Sequence, residues 1–120
     1  MANMNKPITD GCNLRIKYMH GSKICTIIDV DDYHGKVFIE NKTDDPMQCA
    51  FGVVENPGWK DYETFLKDRV FPRERAGIRL ILQNLGLDWY EPLLILEKTN
   101  GRCAEDNMWM IFEYAEDRAE

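Results

Sequence analysis

Only two histidines, His20 and His34, occur in the chain, and neither has a recognisable nucleophile to serve. There is no G-x-S-x-G elbow, no P-loop and no kinase catalytic-loop signature, so activated-serine and nucleotide-dependent chemistry have no motif to carry them. Both histidines stand beside turn glycines, where imidazole could act as a general base; a surface turn histidine is the simpler reading of each. No C-x-x-C pair occurs among Cys12, Cys25, Cys49 and Cys103. This removes a zinc knuckle or thioredoxin-like motif read from local spacing, and four free thiols are expected. A zinc site assembled by the fold from some of these thiols with His20 or His34 is the alternative. No run approaches the roughly 18 apolar residues of a membrane span, and the first residues lack the apolar stretch of a signal peptide. A cytoplasmic protein with no membrane partner and no cofactor is expected.

Internal repeats, low-complexity tracts and linkers are also missing. A chain of 120 residues, 44% of them hydrophobic, is long enough for one core and too short for two, so residues 1–120 are read as a single domain. Residues 1–12 and 114–120 are expected to fray. The net charge of −6 argues against a life spent on nucleic-acid phosphates. The charge is uneven. Residues 104–120 hold six acids against Arg118, whereas residues 67–82 hold Lys67, Arg69, Arg73, Arg75 and Arg79 against Asp68 and Glu74.

What the chain does have is a change of period near residue 56. Before it, strand patterns dominate: Leu14, Ile16 and Tyr18 alternate with Arg15 and Lys17, then "ICTIIDVD" and "KVFIENK" follow across turns, and "CAFGVV" is a candidate fourth strand. After it, Asn56 and Pro57 suit an N-cap and first turn for an amphipathic helix carrying Trp59, Tyr62, Phe65, Leu66 and Val70. A second helix is expected from Pro72 to a stop at Gly86, with Ile78, Ile81, Leu82 and Leu85 as its apolar face. A third starts near Pro92 and stops at Asn100 and Gly101, and "NMWMIFEY" closes the chain as a strand. The pattern predicts an α+β fold: a small antiparallel sheet of three to five strands packed against three short helices.

Asp29, Asp31 and Glu40 carry the one-three-twelve spacing of a calcium loop, but Tyr33 and His34 fill its fifth and sixth positions and strand residues its second half, so a β-turn is expected and no metal. Trp59, Trp89 and Trp109 could form a platform for nucleobases; their spacing also fits a core seam between sheet and helices, and Trp109 is read as an anchor into the core. Arg69 and Arg73, like Arg75 and Arg79, lie four apart, so if both helices form, their guanidinium groups gather at a helix junction. These four are the candidate binding residues. Asp106, Trp109, Gly86 and Gly101 are read as structural, with Arg73 or Arg75 as the expected partner of Asp106.

Residues 59–110 resemble a module of Firmicutes genomes and their mobile elements, found alone in small proteins and at the front of proteins related to HipA-like kinases. The shared features are Phe65, Leu66 and Arg69, the segment Phe71-Pro72-Arg73-Glu74-Arg75, the close on Leu85-Gly86-Leu87, and an ending from Gly101 to Trp109. Here Cys103-Ala104-Glu105 departs from the Leu and Ser that often precede the final Asp. The resemblance implies no enzyme activity for a chain of this size. Together with the acidic balance it predicts a non-enzymatic interaction module of a mobile element or phage. Such a module would dock on or inhibit a host or phage protein, for instance as an anti-CRISPR inhibitor of a nuclease. The alternative is a nucleic-acid-binding regulator in which helices 59–70 and 73–85 act as a helix-turn-helix.

Overall fold

The computed structural model describes Ile8, residues 11–102 and residues 106–115. Three strands come first: β1 (Leu14–His20), β2 (Lys23–Asp31) and β3 (Lys36–Asn41). Helices α1 (Trp59–Asp68), α2 (Ile78–Asn84) and α3 (Pro92–Thr99) follow, and β4 (Met108–Tyr114) returns to the sheet. The four strands lie in the order β3-β2-β1-β4 with every pairing antiparallel. The architecture is the expected α+β one.

Register explains which residues face the helices. Leu14, Ile16 and Tyr18 of β1 stand opposite Val30, Ile28 and Thr26 of β2 and opposite Tyr114, Phe112 and Met110 of β4. Because strand side chains alternate, this set shares one face. There all of them but Thr26 and the exposed Tyr114 pack into the core with Tyr62, Phe65 and Leu66 of α1 and Leu96 of α3. Tyr18 meets Phe65 edge to face, ring centroids 5.3 Å apart. On the opposite face Arg15 and Asp29, directly paired across β1 and β2, are buried and bonded through two parallel contacts of 2.8 and 2.9 Å. Arg15 is therefore not the solvent-facing residue its alternation predicts; a cross-strand carboxylate allows it to be buried.

"CAFGVV" is not a strand. Its backbone closes into successive turns, Gly52 N–H donating to Cys49 and Val54 N–H to Phe51, while the Ala50 N–H donates to the Thr26 hydroxyl. Gly52, at φ 57°, breaks the extended run, and β4 supplies the fourth strand instead. The helix boundaries also shift. α1 begins after Gly58, not Asn56, because the Asp61 carboxylate accepts from the Gly58 N–H at 2.9 Å and fixes the first turn there. α2 begins at Ile78, because residues 72–77 close into two turns and Gly77 is left-handed at φ 74°. Gly86, at φ 79°, ends α2 as expected, with the Leu87 N–H bonded back to the Leu82 carbonyl.

At the exit from α3 the backbone approaches a neighbouring side chain more closely than at any other glycine of the described residues. Asn100 and Gly101 are both left-handed, at φ 57° and 67°. A Cβ placed on Gly101 would lie 2.5 Å from Met110 Cγ. By contrast, a Cβ on Gly86 meets nothing within 4 Å. Gly101→Ala should thus suffer both backbone strain and overpacking, about 3 kcal/mol in chemical denaturation, whereas Gly86→Ala should lose only the strain, about 1 kcal/mol. Equal losses for the two variants would contradict the Met110 contact.

Candidate functional site

The four arginines gathered by spacing separate in space. Arg69, at the C-cap of α1, is buried, and its guanidinium is occupied from all sides. Nε and Nη2 donate to the Gly101 carbonyl at 3.1 and 2.9 Å. Nη1 donates to the Tyr18 hydroxyl at 3.3 Å and to Asp106 Oδ2 at 3.0 Å. Nη2 also reaches Asp106 Oδ1 at 3.2 Å and the Met108 carbonyl at 3.3 Å. Arg69 is therefore an internal tie and not a surface binding residue. It is also the partner of Asp106, in place of Arg73 or Arg75, because the α1 C-terminus and not the following loop abuts the start of β4. The Arg69 hydrogen bond holds the Asp106 carboxyl below the usual range against the opposing effect of burial, and the Met108 N–H bond to Oδ1 helps.

Arg73, Arg75 and Arg79 are exposed and sit on an excursion of the chain, residues 71–91. Its base is closed by the Tyr90 hydroxyl, which donates to the Phe71 carbonyl at 2.6 Å, and by edge contact between those two rings. Arg73 lies over the Tyr90 ring, 4.7 Å from its centroid. Of the apolar face expected on α2, only Leu82 is buried. Leu80 and Trp89 are 61% and 62% exposed. The expected core role of Trp89 is thus not met: the excursion carries it past the edge of the core. Nor do α1 and α2 form a helix-turn-helix, since nine residues, 69–77, separate them where that motif uses about three or four.

Trp109 needs a similar correction. Its neighbours Met108 and Met110 enter the core, so alternation puts Trp109 on the other face. There its Nε1 donates to the Gly21 carbonyl at 2.8 Å and Arg102 lies 5.2 Å from its ring, pinning the β1–β2 turn. Asp29, Asp31 and Glu40 do not converge either. Asp29 pairs with Arg15, Asp31 accepts from the His34 backbone and ring within the turn, and Glu40 pairs with Lys42. Among the described residues no three His, Cys, Asp or Glu side chains come together as metal ligands. Cys12, Cys25 and Cys49 are free thiols; Cys103 lies outside the described residues. Burial, with Asp29 and Asp31 nearby, pushes the Cys12 thiol up to about 11 and so keeps it protonated.

At the root of the excursion, between α1, the start of α3 and the β2–β3 turn, lies a cleft of about 750 Å³. Its walls include Trp59, Tyr62 and Tyr90, with Asp32, Glu63 and Glu91 at the rim. No sequence signal joined these residues, because they come from three separate stretches. No protein-family model, curated protein or solved structure matches the chain.

Two titrating groups give opposite pH dependences. Asp106 has a lowered pKa in the fold, so its contribution is present above the unfolded carboxylate value and is lost as pH falls through the folded one. Its side chain is 39% exposed, so Asp106→Asn should cost only about 1 kcal/mol at neutral pH, the loss vanishing at strongly acid pH. Glu97 is the reverse case. Burial raises its pKa, and its Oε2 is sealed from solvent with no hydrogen-bond partner. The folded state is penalised as pH rises through that raised value, so Glu97→Gln should gain about 1 kcal/mol at pH 7. Urea midpoints across pH 3 to 8 check both signs; a destabilised Glu97→Gln at pH 7 would remove the second.

Proposed function

We propose that this chain is a non-enzymatic protein-interaction module that docks on a host or phage protein through the excursion at residues 71–91. The observation that carries this reading is the exposure of Leu80 and Trp89 on the segment that also exposes Arg73, Arg75 and Arg79 and gives the core one buried α2 residue. An exposed aromatic and a leucine flanked by guanidinium groups have the composition of an interface centre: Trp and Arg are the side chains most often found to dominate binding energy. The partner surface that fits is an apolar depression rimmed by carboxylates. The resemblance of residues 59–110 to a mobile-element module supports a partner in host defence. The net charge of −6 supports an inhibitor whose acidic body also screens a basic nucleic-acid channel, as an anti-CRISPR protein would.

The test is affinity capture from a native host followed by mass spectrometry, run side by side with wild type and with a Leu80→Asp, Trp89→Ser variant. A specific partner should be enriched by the wild type and its affinity reduced at least tenfold by the variant, about 1.4 kcal/mol or more. Both substitutions lie on exposed positions, so the melting temperature should hold. A partner retained equally by both proteins, or none enriched above control, would defeat the reading.

A further inference from the structure

The cleft at the root of the excursion adjoins the docking face just described and shares Arg73 with it. Its charged lining comprises five carboxylates against Lys67 and Arg73. Its aromatic lining is ordered by the fold. Trp59 and Tyr62 stack obliquely with centroids 4.9 Å apart, and the Trp59 Nε1 donates to Glu63 at 3.1 Å. That bond fixes an indole and a carboxylate side by side. The Tyr62 hydroxyl is pushed up by burial, then by Asp32, Glu97, Glu63 and Glu91, so a neutral phenol sits within a negative field. A second cleft shares Asp32, Tyr62, Glu91 and Leu93 with the first and continues past Trp89 and Tyr114. The first cleft is the groove that holds Trp59, Glu63 and Tyr90.

We propose that this groove binds an arginine side chain presented by an extended segment of a partner protein. A planar cation suits both parts of the lining: its face stacks on aromatic rings, and its edge donates to carboxylates in a paired geometry that an ammonium lacks. The chain already shows the stacking half of this chemistry. Arg73 lies over Tyr90, one wall of the groove, 4.7 Å from the ring centroid. At the Trp59 end, Asp32, Glu63 and Glu91 supply the acceptors for a second guanidinium. Charge complementarity selects the occupant: a groove with three net negative charges attracts a basic segment and repels a nucleic-acid backbone.

The experiment uses the whole chain and a blocked Gly-Arg-Gly tripeptide, followed by amide and indole NMR resonances. The Trp59 indole and the backbone of Tyr62 and Glu63 should shift with a dissociation constant on the order of a millimolar. The tripeptide with citrulline, which keeps the shape and drops the charge, should bind at least tenfold more weakly. Glu63→Gln combined with Glu91→Gln, both exposed positions, should weaken the arginine peptide about tenfold while leaving the rest of the spectrum in place. Equal binding of citrulline, shifts confined to residues outside the groove, or no shift at tens of millimolar peptide would each overturn the proposal. Leu80 lines neither cleft, so a Leu80→Asp single variant, which should weaken partner capture and leave tripeptide binding unchanged, makes the two readings fail separately.

Discussion

The guanidinium of Arg69 is the point on which the C-terminal half is assembled. It is placed by the end of α1 and reaches the exit of α3, the entry of β4 and the central strand β1 through six hydrogen bonds among the described residues. A buried cation without such partners would be destabilising by several kcal/mol, so the bonds together are what allow Arg69 to be buried. Gly101 is held to the same geometry from the other side. Its carbonyl accepts twice from Arg69, its left-handed backbone turns the chain, and its missing side chain leaves room for Met110. Gly101, Asp106 and Met108 therefore act as a closure: through Arg69 they fasten the last strand to a helix terminus.

Most of the sheet was legible in the sequence because β1 alternates apolar and charged residues, β2 is rich in β-branched residues, and turn residues separate β1, β2 and β3. Those strands, the existence of three helices and the left-handed stops at Gly86, Asn100 and Gly101 are all local features. What failed was non-local. Arg15 looks solvent-facing until its cross-strand neighbour is known to be Asp29. Arg69 looks like a member of a basic helix face until its distance in space from Gly101 and Asp106 is known. Trp109 has the spacing of a core residue, but parity assigns that place to Met108 and Met110. "CAFGVV" shows too short an alternation, interrupted by Gly52, to compete with turns that satisfy its backbone locally. The cleft was invisible for the same reason as the Arg69 tie: Asp32, Trp59 and Glu91 meet only after the chain has folded.

The arginine spacing that drew attention to residues 69–79 mixes two different roles. Arg69 serves the interior, whereas Arg73, Arg75 and Arg79 lie beyond Pro72 on a segment that leaves the core and comes back at Tyr90. Pro72 and the left-handed Gly77 delay the helix, so the polar residues between them remain exposed in turns instead of joining an amphipathic face. The basic excess is thereby carried outward, and carboxylates remain at its root. Arg75 and Arg79 lie outside the cleft, whose lining holds five carboxylates against Lys67 and Arg73.

That separation has an energetic counterpart. The core cluster is supplied by β1, β2, α1, α3 and β4, while α2 buries Leu82 alone and outside that cluster. A seven-residue helix is too short to be stable by propensity, so the excursion is held mainly by its base, where Tyr90 bonds to Phe71 and Arg73 covers the Tyr90 ring. Side chains at its tip can therefore change without loss of the fold. The groove lacks this freedom at one wall: Tyr62 belongs to the core as well as to the lining, so its ring is fixed by packing before any ligand arrives. The molecule thus pairs an adaptable projecting surface with a rigid recess beside it, and the ring of Tyr90 is shared by both.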